Sequence, residues 1–594
     1  MRPMTDATVE TPPSDDEPAR SRPGTTSSPS ESGLMNDELF GVFGDRERLD
    51  ASRPATEFDR VVAGETVTIG LRGSEGRHRE RCHVYEGPDG CCVVWGELFP
   101  PESTDIDAAE WVYERFAAVG TDAFDELNGA YLVAVEHDGT AAIAPDLLRS
   151  VECYVTDRDG YRAFGTDPVG VARLVEDPSI DDRALNQFVH FGVSFENRTL
   201  LERLRRVPFD AALGERSTTE LERFVYRPRD GSQADHAADL AERLERAVAR
   251  RDGDGASAGA LASAGYDSRL LLATVSDIDV SYTLGTPTAP EVRVAREVAT
   301  QYGVDHELLP VTDRYLDADP DVVRYTGGIR ESLHIHHRGN RDALTPSKMY
   351  HGLFLDTVLR DHYVPSRTID AVGHSLPIGG LESDPDPVDH YRTRLGFWGD
   401  GAPLAGGDDW DGTVDELFEE SVTTAIQSYG QRCDSTLNAM AMLGIQLTPA
   451  LPFRTQIADN HVESLIAADA EILDWHLSTP PEHRNGKTFQ RALGLIDDDI
   501  LRHRPPDRPH ESYMLNQIEG FLRRTLPGVD APGTPWPDRD EIYAAAGMDE
   551  RLFPDSPDVH RLPPRIKLRI NDALVWLECA TGTDHDPESL FSLD

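Results

Sequence analysis

Between Leu261 and Ala273 the chain reads Leu-Ala-Ser-Ala-Gly-Tyr-Asp-Ser-Arg-Leu-Leu-Leu-Ala, a turn of small residues followed at once by an apolar run of helical type. The first N–H groups of a helix lack intrahelical partners and the helix dipole adds positive potential, so such a junction can gather backbone N–H groups around an anion. The chemistry this stretch could do is phosphate binding. Two other groups carry reactive side chains. His334, His336 and His337 invite a zinc reading, yet no cysteine or carboxylate stands at ligand spacing, so a solvated or substrate-facing segment is the expectation. Cys91 and Cys92 fall in an apolar strand, where a thiol is ordinarily an inert small apolar group.

The elements that must position the loop follow from periodicity. Val280 to Leu284 predicts a strand, and Glu291 to Tyr302 a helix with Val292, Ala295, Val298, Ala299 and Tyr302 on one face and Gly303 as its C-terminal cap. A strand over Leu308 to Val311 follows, with His306 as a core or strand-end histidine. Strand, helix, strand in this rhythm predicts an α/β domain built on a doubly wound parallel sheet, whose ligand lies at the carboxyl ends of the strands. Upstream, from Leu39 to Tyr226, short β-type runs such as Cys91 to Trp95 and Ala130 to Val135 enclose one helical stretch, Ala108 to Ala118, which predicts an α+β sandwich. The expected boundaries are a disordered Pro/Ser/Thr-rich leader over 1–34, the sandwich over 35–226, the parallel-sheet domain over 237–504, and a C-terminal helical extension over 505–594 with a helix near Arg565 to Ala580.

Composition narrows the partners. Asp and Glu number 106 against 58 Lys and Arg, a net charge of −48 over 594 residues, which repels polyanions and argues against nucleic acid. Lysine occurs only as Lys348, Lys487 and Lys567, and heavy acid with little lysine looks like the habit of salt-in halophiles. The six cysteines form no CxxC pair, and no apolar run approaches the roughly 18 residues of a membrane span. A reduced, soluble, cytoplasmic chain is the expectation, with its oligomeric state open.

Ser263, Gly265, Asp267 and Ser268 resemble the Ser-Gly-Gly-x-Asp-Ser loop of the ATP pyrophosphatases, with Ala264 at the first glycine position. Gly285, Glu291, and Gly303 with His306 are similar to the spacing around the adenine side of the asparagine synthetase site. His351-Gly352-Leu353-Phe354-Leu355-Asp356 resembles that family's Ser-Gly-Glu-Gly-Ala-Asp motif, and Lys487 with Arg491 looks like its Lys-x-Leu-Leu-Arg helix start. The resemblance implies ATP and Mg²⁺ as cofactors. Ser263, Gly265, Ser268 and Gly285 would serve the nucleotide, Asp267 both nucleotide and metal, and Asp356 the metal. Lys487, assisted by Arg491, would stabilise charge on an acyl-adenylate and departing pyrophosphate. The motif's glutamate, which helps deprotonate the attacking amine, is Leu353.

Gly96-Glu97-Leu98, Phe124 to Tyr131, Asp146 with Arg149, and Gly165 to Pro168 are similar, in that order, to the glutaminase domain of asparagine synthetases, an N-terminal-nucleophile hydrolase fold. That domain needs a cysteine with a free α-amine. Here Phe40 holds its position well inside the chain, and Trp95 replaces the oxyanion-hole asparagine, so a degenerate domain without glutamine hydrolysis is implied. The resemblance as a whole implies a ligase that adenylates a carboxylate, aspartate or related, and transfers an amine, releasing AMP and pyrophosphate. The rival reading is a non-catalytic nucleotide-binding or scaffolding protein that keeps the fold.

Overall fold

The computed structural model describes residues 33–594 apart from 74–80, 102–105, 159, 253–256, 372–373, 399–403, 406–411, 507, 511, 526–536 and 593–594. Of the expected leader, residues 1–32 lie outside the described residues.

Two six-stranded sheets built from antiparallel pairs face each other in the N-terminal part. One is centred on Glu38–Phe43 and Tyr161–Gly165, the other on Gly90–Leu98 and Gly129–His137. Period-two alternation explains what each strand buries. Leu39 and Phe43 turn into the space between the sheets with Cys91, Val93 and Leu132, while Phe40 and Val42 turn outward onto a helical layer. Cys92 and Val94 likewise pack outward, against the helix Ala108–Val119. Strands covered on both faces read as continuous apolar runs, which is why all six residues from Glu38 to Phe43 are buried. The result is a four-layer sandwich of helix, sheet, sheet, helix.

The second part is a five-stranded parallel sheet formed by β1 (Ala258–Leu261), β2 (Ile278–Gly285), β3 (Asp305–Pro310), β4 (Lys348–His351) and β5 (Val462–Ser464), in the order β3-β2-β1-β4-β5. All four neighbouring pairs run parallel. The helices that serve the site are α1 (Gln233–Ala249), α2 (Tyr266–Thr274), α3 (Pro290–Tyr302), α4 (Leu355–Arg360) and α5 (Gly486–Ile496). Proline at the first position starts α3, and Gly303 in the left-handed region at φ 73° ends it, as the sequence predicts. The strand order reverses between β1 and β4. That is the switch point of an open α/β sheet, where helices on opposite faces leave a crevice at the strands' carboxyl ends.

The C-terminal segment is more than an appendage. Its helix α6 (Pro564–Thr581) lies on the sandwich, where Ile566, Ile570, Ala573, Trp576 and Leu577 share a core with Phe40, Leu185 and Phe188. The two halves also meet through buried charge: Arg251, after α1, donates to Glu97 at 2.8 Å and to Asp469 at 2.7 Å.

Candidate active site

β1 ends at Leu261 and α2 begins at Tyr266, leaving residues 262–265 to make the turn at the switch point. The N–H groups of its last three residues are held by side-chain oxygens. Ser263 N–H donates to Ser268 Oγ at 3.1 Å, Gly265 N–H to Ser263 Oγ at 3.0 Å, and Ala264 N–H to Glu291 Oε1 at 2.6 Å from the first turn of α3. One acceptor is a carboxylate, so the turn already presents an N–H to an acidic group. Ser263 is exposed, Gly265 and Asp267 are half-buried, and Ser268 is buried. Ala264, at the first glycine position of the resembled loop, is 0% exposed and belongs to the core, so its methyl is packed inside and not at the mouth of the loop.

Arg269 fixes the loop from behind. It is fully buried, donates to the Ala264 carbonyl at 2.8 Å and the Ile500 carbonyl at 3.2 Å, bonds the His503 carbonyl, and lies over the Tyr266 ring. A cation at the head of the apolar run Arg-Leu-Leu-Leu is its signal in the sequence.

Asp267, on the first turn of α2, and Asp356, on the first turn of α4, come from the ends of the adjacent strands β1 and β4. They are drawn together by Gly352, where a side-chain Cβ would stand 2.8 Å from Asp267 Cβ. Arg360, also on α4, donates Nη2 to Asp267 Oδ2 at 2.6 Å, whereas Asp267 Oδ1 is buried without a hydrogen-bond partner among the described residues. Burial, with help from Asp356, pushes the Asp267 carboxyl up to about 6 against the pull of Arg360 and Arg508. The orphaned Oδ1 beside a second carboxylate suits a small divalent cation, which takes few protein ligands and binds oxygen.

The turn that delivers Asp356 is strained. Phe354, at the second glycine position of the resembled motif, has φ 67° and is 2% exposed. A bulky residue in left-handed backbone costs roughly 1–3 kcal/mol, and such outliers gather at functional sites. Leu353 packs against the core, with no group that could accept a proton. His351 bonds Glu463 at 2.9 Å, and Glu463 pairs with Arg454 at 2.6 Å. Those two line a cavity of about 80 Å³ between the halves of the molecule, together with Trp95, Gly96 and Glu97. None of the residues that line the cavity belongs to the loop.

Gly285 ends β2, where a Cβ would lie 2.8 Å from Val292 and push α3 off the strand. His306 sits on β3 with Nε2 3.1 Å from Thr283 Oγ1. Lys487 and Arg491 lie on α5, whose N-terminus is capped by Asn485 accepting the Lys487 and Thr488 N–H groups. Both are exposed, opposite the buried face of Thr488, Phe489, Ala492 and Leu493. That buried face meets the crevice, since the Arg360 guanidinium lies 5.8 Å from the Phe489 ring centre. The other two lysines are structural: Lys348 donates to the Arg251 carbonyl at 2.8 Å and Lys567 to Asp549 at 2.5 Å, both buried. Lys487 alone of the three is exposed.

The histidine segment departs from expectation. His337 is buried against Phe453 and burial holds its imidazole down at about 3, while His336 stands 2.9 Å from Tyr315 Oη. Desolvation keeps these rings neutral, so the segment is packed and not solvated. Among the described residues no group of three His, Cys, Asp or Glu is arranged to hold a metal. Cys91 and Cys92 are at most 1% exposed, and burial raises the Cys91 thiol to about 12. At the position of the resembled nucleophile, Phe40 is mid-strand, stacked on Phe58 at 5.8 Å under the Arg53 guanidinium.

Residues 239–333 match the family model of asparagine synthase. The matched segment holds Ser263, Gly265, Asp267, Ser268 and Gly285 and ends before Asp356, so the loop and the first three strands are asparagine synthase-like. No curated protein matches the chain. Solved structures that align include glutamine phosphoribosylpyrophosphate amidotransferase from B. subtilis complexed with ADP and GMP, at 10% identity over 68% of this chain and 95% of that one, TM-score 0.23. A second, described as the allosteric regulatory enzyme of purine biosynthesis, aligns at 11% identity over 68% and 98%, TM-score 0.21. Superposition this loose carries no weight beside the observed topology. No described helix is long and apolar enough to cross a membrane.

Proposed function

We propose that the crevice between β1 and β4 binds ATP with Mg²⁺ and activates a small carboxylate as its adenylate, which an amine then attacks to form a carbon–nitrogen bond. The observation that supports this most directly is the convergence of Asp267 and Asp356 at the switch point, beside a turn whose Ala264 N–H already meets a carboxylate. Ser263, Gly265 and Ser268 would hold phosphate oxygens, Glu291 giving up the Ala264 N–H, and Gly285 would let α3 approach the nucleotide side. Asp267 Oδ1 and Asp356 would hold Mg²⁺, which screens the triphosphate and the leaving pyrophosphate.

In the first step a substrate carboxylate oxygen attacks the α-phosphorus and the bond to the β-phosphate oxygen breaks. Lys487, assisted by Arg491, would supply positive charge to the departing pyrophosphate, which requires its long exposed side chain to turn from the α5 N-terminus toward the crevice. In the second step the amine nitrogen adds to the acyl carbon, AMP leaves, and the surplus amine proton needs an acceptor. Leu353 cannot serve. Burial holds the His362 imidazole below its ordinary value, which makes it a weak base, so the proton passes to solvent or to a second amine molecule. The N-terminal sandwich, with Phe40 in place of a nucleophile, supplies no ammonia from glutamine, and free ammonia or another amine is the donor. Two identities follow the same reading as expectations: a cytoplasmic location and a salt-adapted surface.

ATP–pyrophosphate exchange in high KCl with Mg²⁺, screened over aspartate and other carboxylates, tests adenylation. Exchange that Lys487→Met lowers by 100-fold or more supports it. Measurable ATP binding with no exchange for any carboxylate favours a non-catalytic nucleotide-binding protein, a reading to which the internally satisfied loop N–H groups lend support.

A further inference from the structure

Arg360 stands one helical turn after Asp356 on α4, so the two side chains share a face of that helix. From there Arg360 reaches across to Asp267, donating Nη2 to Oδ2 at 2.6 Å, with each side chain only 19% exposed. Its guanidinium thus ties α4, which carries Asp356, to the carboxylate that follows β1. Phe489 of α5 packs beside it, and Asp267 Oδ1 remains buried and unpartnered among the described residues. The crevice therefore already contains a fixed cation bonded to one oxygen of the carboxylate whose other oxygen is buried and unpartnered among the described residues. Guanidinium stays protonated at any working pH, so this charge cannot be titrated away.

We infer that Arg360 is a resident counter-cation of Asp267 that competes with the divalent ion for this carboxylate and weakens the protein's hold on it. A cation arriving at Oδ1 meets a carboxylate whose charge is partly spent on Arg360, and it is repelled by that guanidinium across a short, half-buried gap. Arg360 holds one carboxylate oxygen in place and leaves the other free. The site is thereby kept electrostatically balanced while empty, and metal enters most readily with the compensating negative charge of a polyphosphate. This inference rests on Asp267 being a metal ligand, as in the function proposed above.

Titration of the full-length protein with Mn²⁺ alone, read by the loss of the free-ion electron paramagnetic resonance signal, tests it without nucleotide or turnover. Arg360→Met is expected to bind Mn²⁺ at least about tenfold more tightly than the parent protein, with the gain abolished in Arg360→Met/Asp267→Asn. Arg360→Lys, which keeps the charge, is expected to stay within about threefold of the parent. If Arg360→Met is misfolded by circular dichroism, Arg360→Gln, which keeps part of the stem over Phe489, takes its place with the same expectation. Mn²⁺ binding that depends on Asp267 but is unchanged when Arg360 is replaced overturns the role of Arg360 and leaves the metal reading standing. The lack of any Asp267-dependent binding in every variant overturns both.

Discussion

Asp267 carries opposed demands. Burial raises its carboxyl from an ordinary 3.8 to about 6 in spite of Arg360, so the ionised form that a metal requires is the form the fold disfavours. A carboxyl raised in the folded state contributes its stability below the unfolded value and loses it as pH climbs through the folded one. Asp267→Asn is therefore expected to match the parent protein near pH 4. It should gain on it as pH rises through about 6, to a limit on the order of 3 kcal/mol. Denaturant midpoints of the two proteins from pH 4 to 8 check this, and a constant difference would remove burial as the cause. The same substitution should abolish exchange, as expected where stability is given up at a working site.

At the scale of elements, α6 shows how a segment remote in sequence can belong to the core of the N-terminal sandwich. Trp576 is fully buried, and Gly328, at φ 64°, passes so close that a Cβ there would lie 2.8 Å from the indole ring. Truncating so large a side chain leaves a cavity the surrounding strands cannot fill. Trp576→Ala is expected to cost about 3–5 kcal/mol, measured by urea unfolding, although the residue is far from the crevice. Gly328→Ala should destabilise as well, through both the clash and the left-handed backbone. The parallel sheet and the short turns from β1 into α2 and from β4 into α4 hold the crevice, and Phe354 at φ 67° is the local strain accepted to aim α4.

Across the whole molecule, charge sets the conditions. At −48 the surface repels itself, and salt at about 1 M shortens the reach of each charge to about 3 Å. The melting temperature is expected to climb between 0.1 and 2 M KCl, and a flat profile would remove salt adaptation from the account. Pairs buried between the two halves should respond differently. Arg251 is 0% exposed in its side chain and paired with Glu97 and Asp469. Glu97→Gln should cost about 3–5 kcal/mol at either salt concentration, because a buried charge left short of a partner is not reached by the ions that screen the surface.

The loop at 261–273, the helix over 291–302 with its glycine cap, and the strands on either side were legible because their signals are local: small residues at a turn, apolar residues at helical spacing, a glycine able to take positive φ. The alternation of strand and helix likewise fixed the parallel sheet around Asp267. Contacts between residues far apart in sequence were not legible. Nothing in the spacing of Asp267 and Arg360 announces that they pair, since their separation spans three parallel strands and is closed only when β1 and β4 lie side by side. The histidine segment misled for the same reason, since whether an imidazole faces solvent is set by what packs on it from elsewhere. Sequence by itself determined which residue types stand at the mouth of each strand. Tertiary structure alone decided that Arg360 shares the crevice with them, because burial and ion pairing depend on distances through space that the order of residues does not contain.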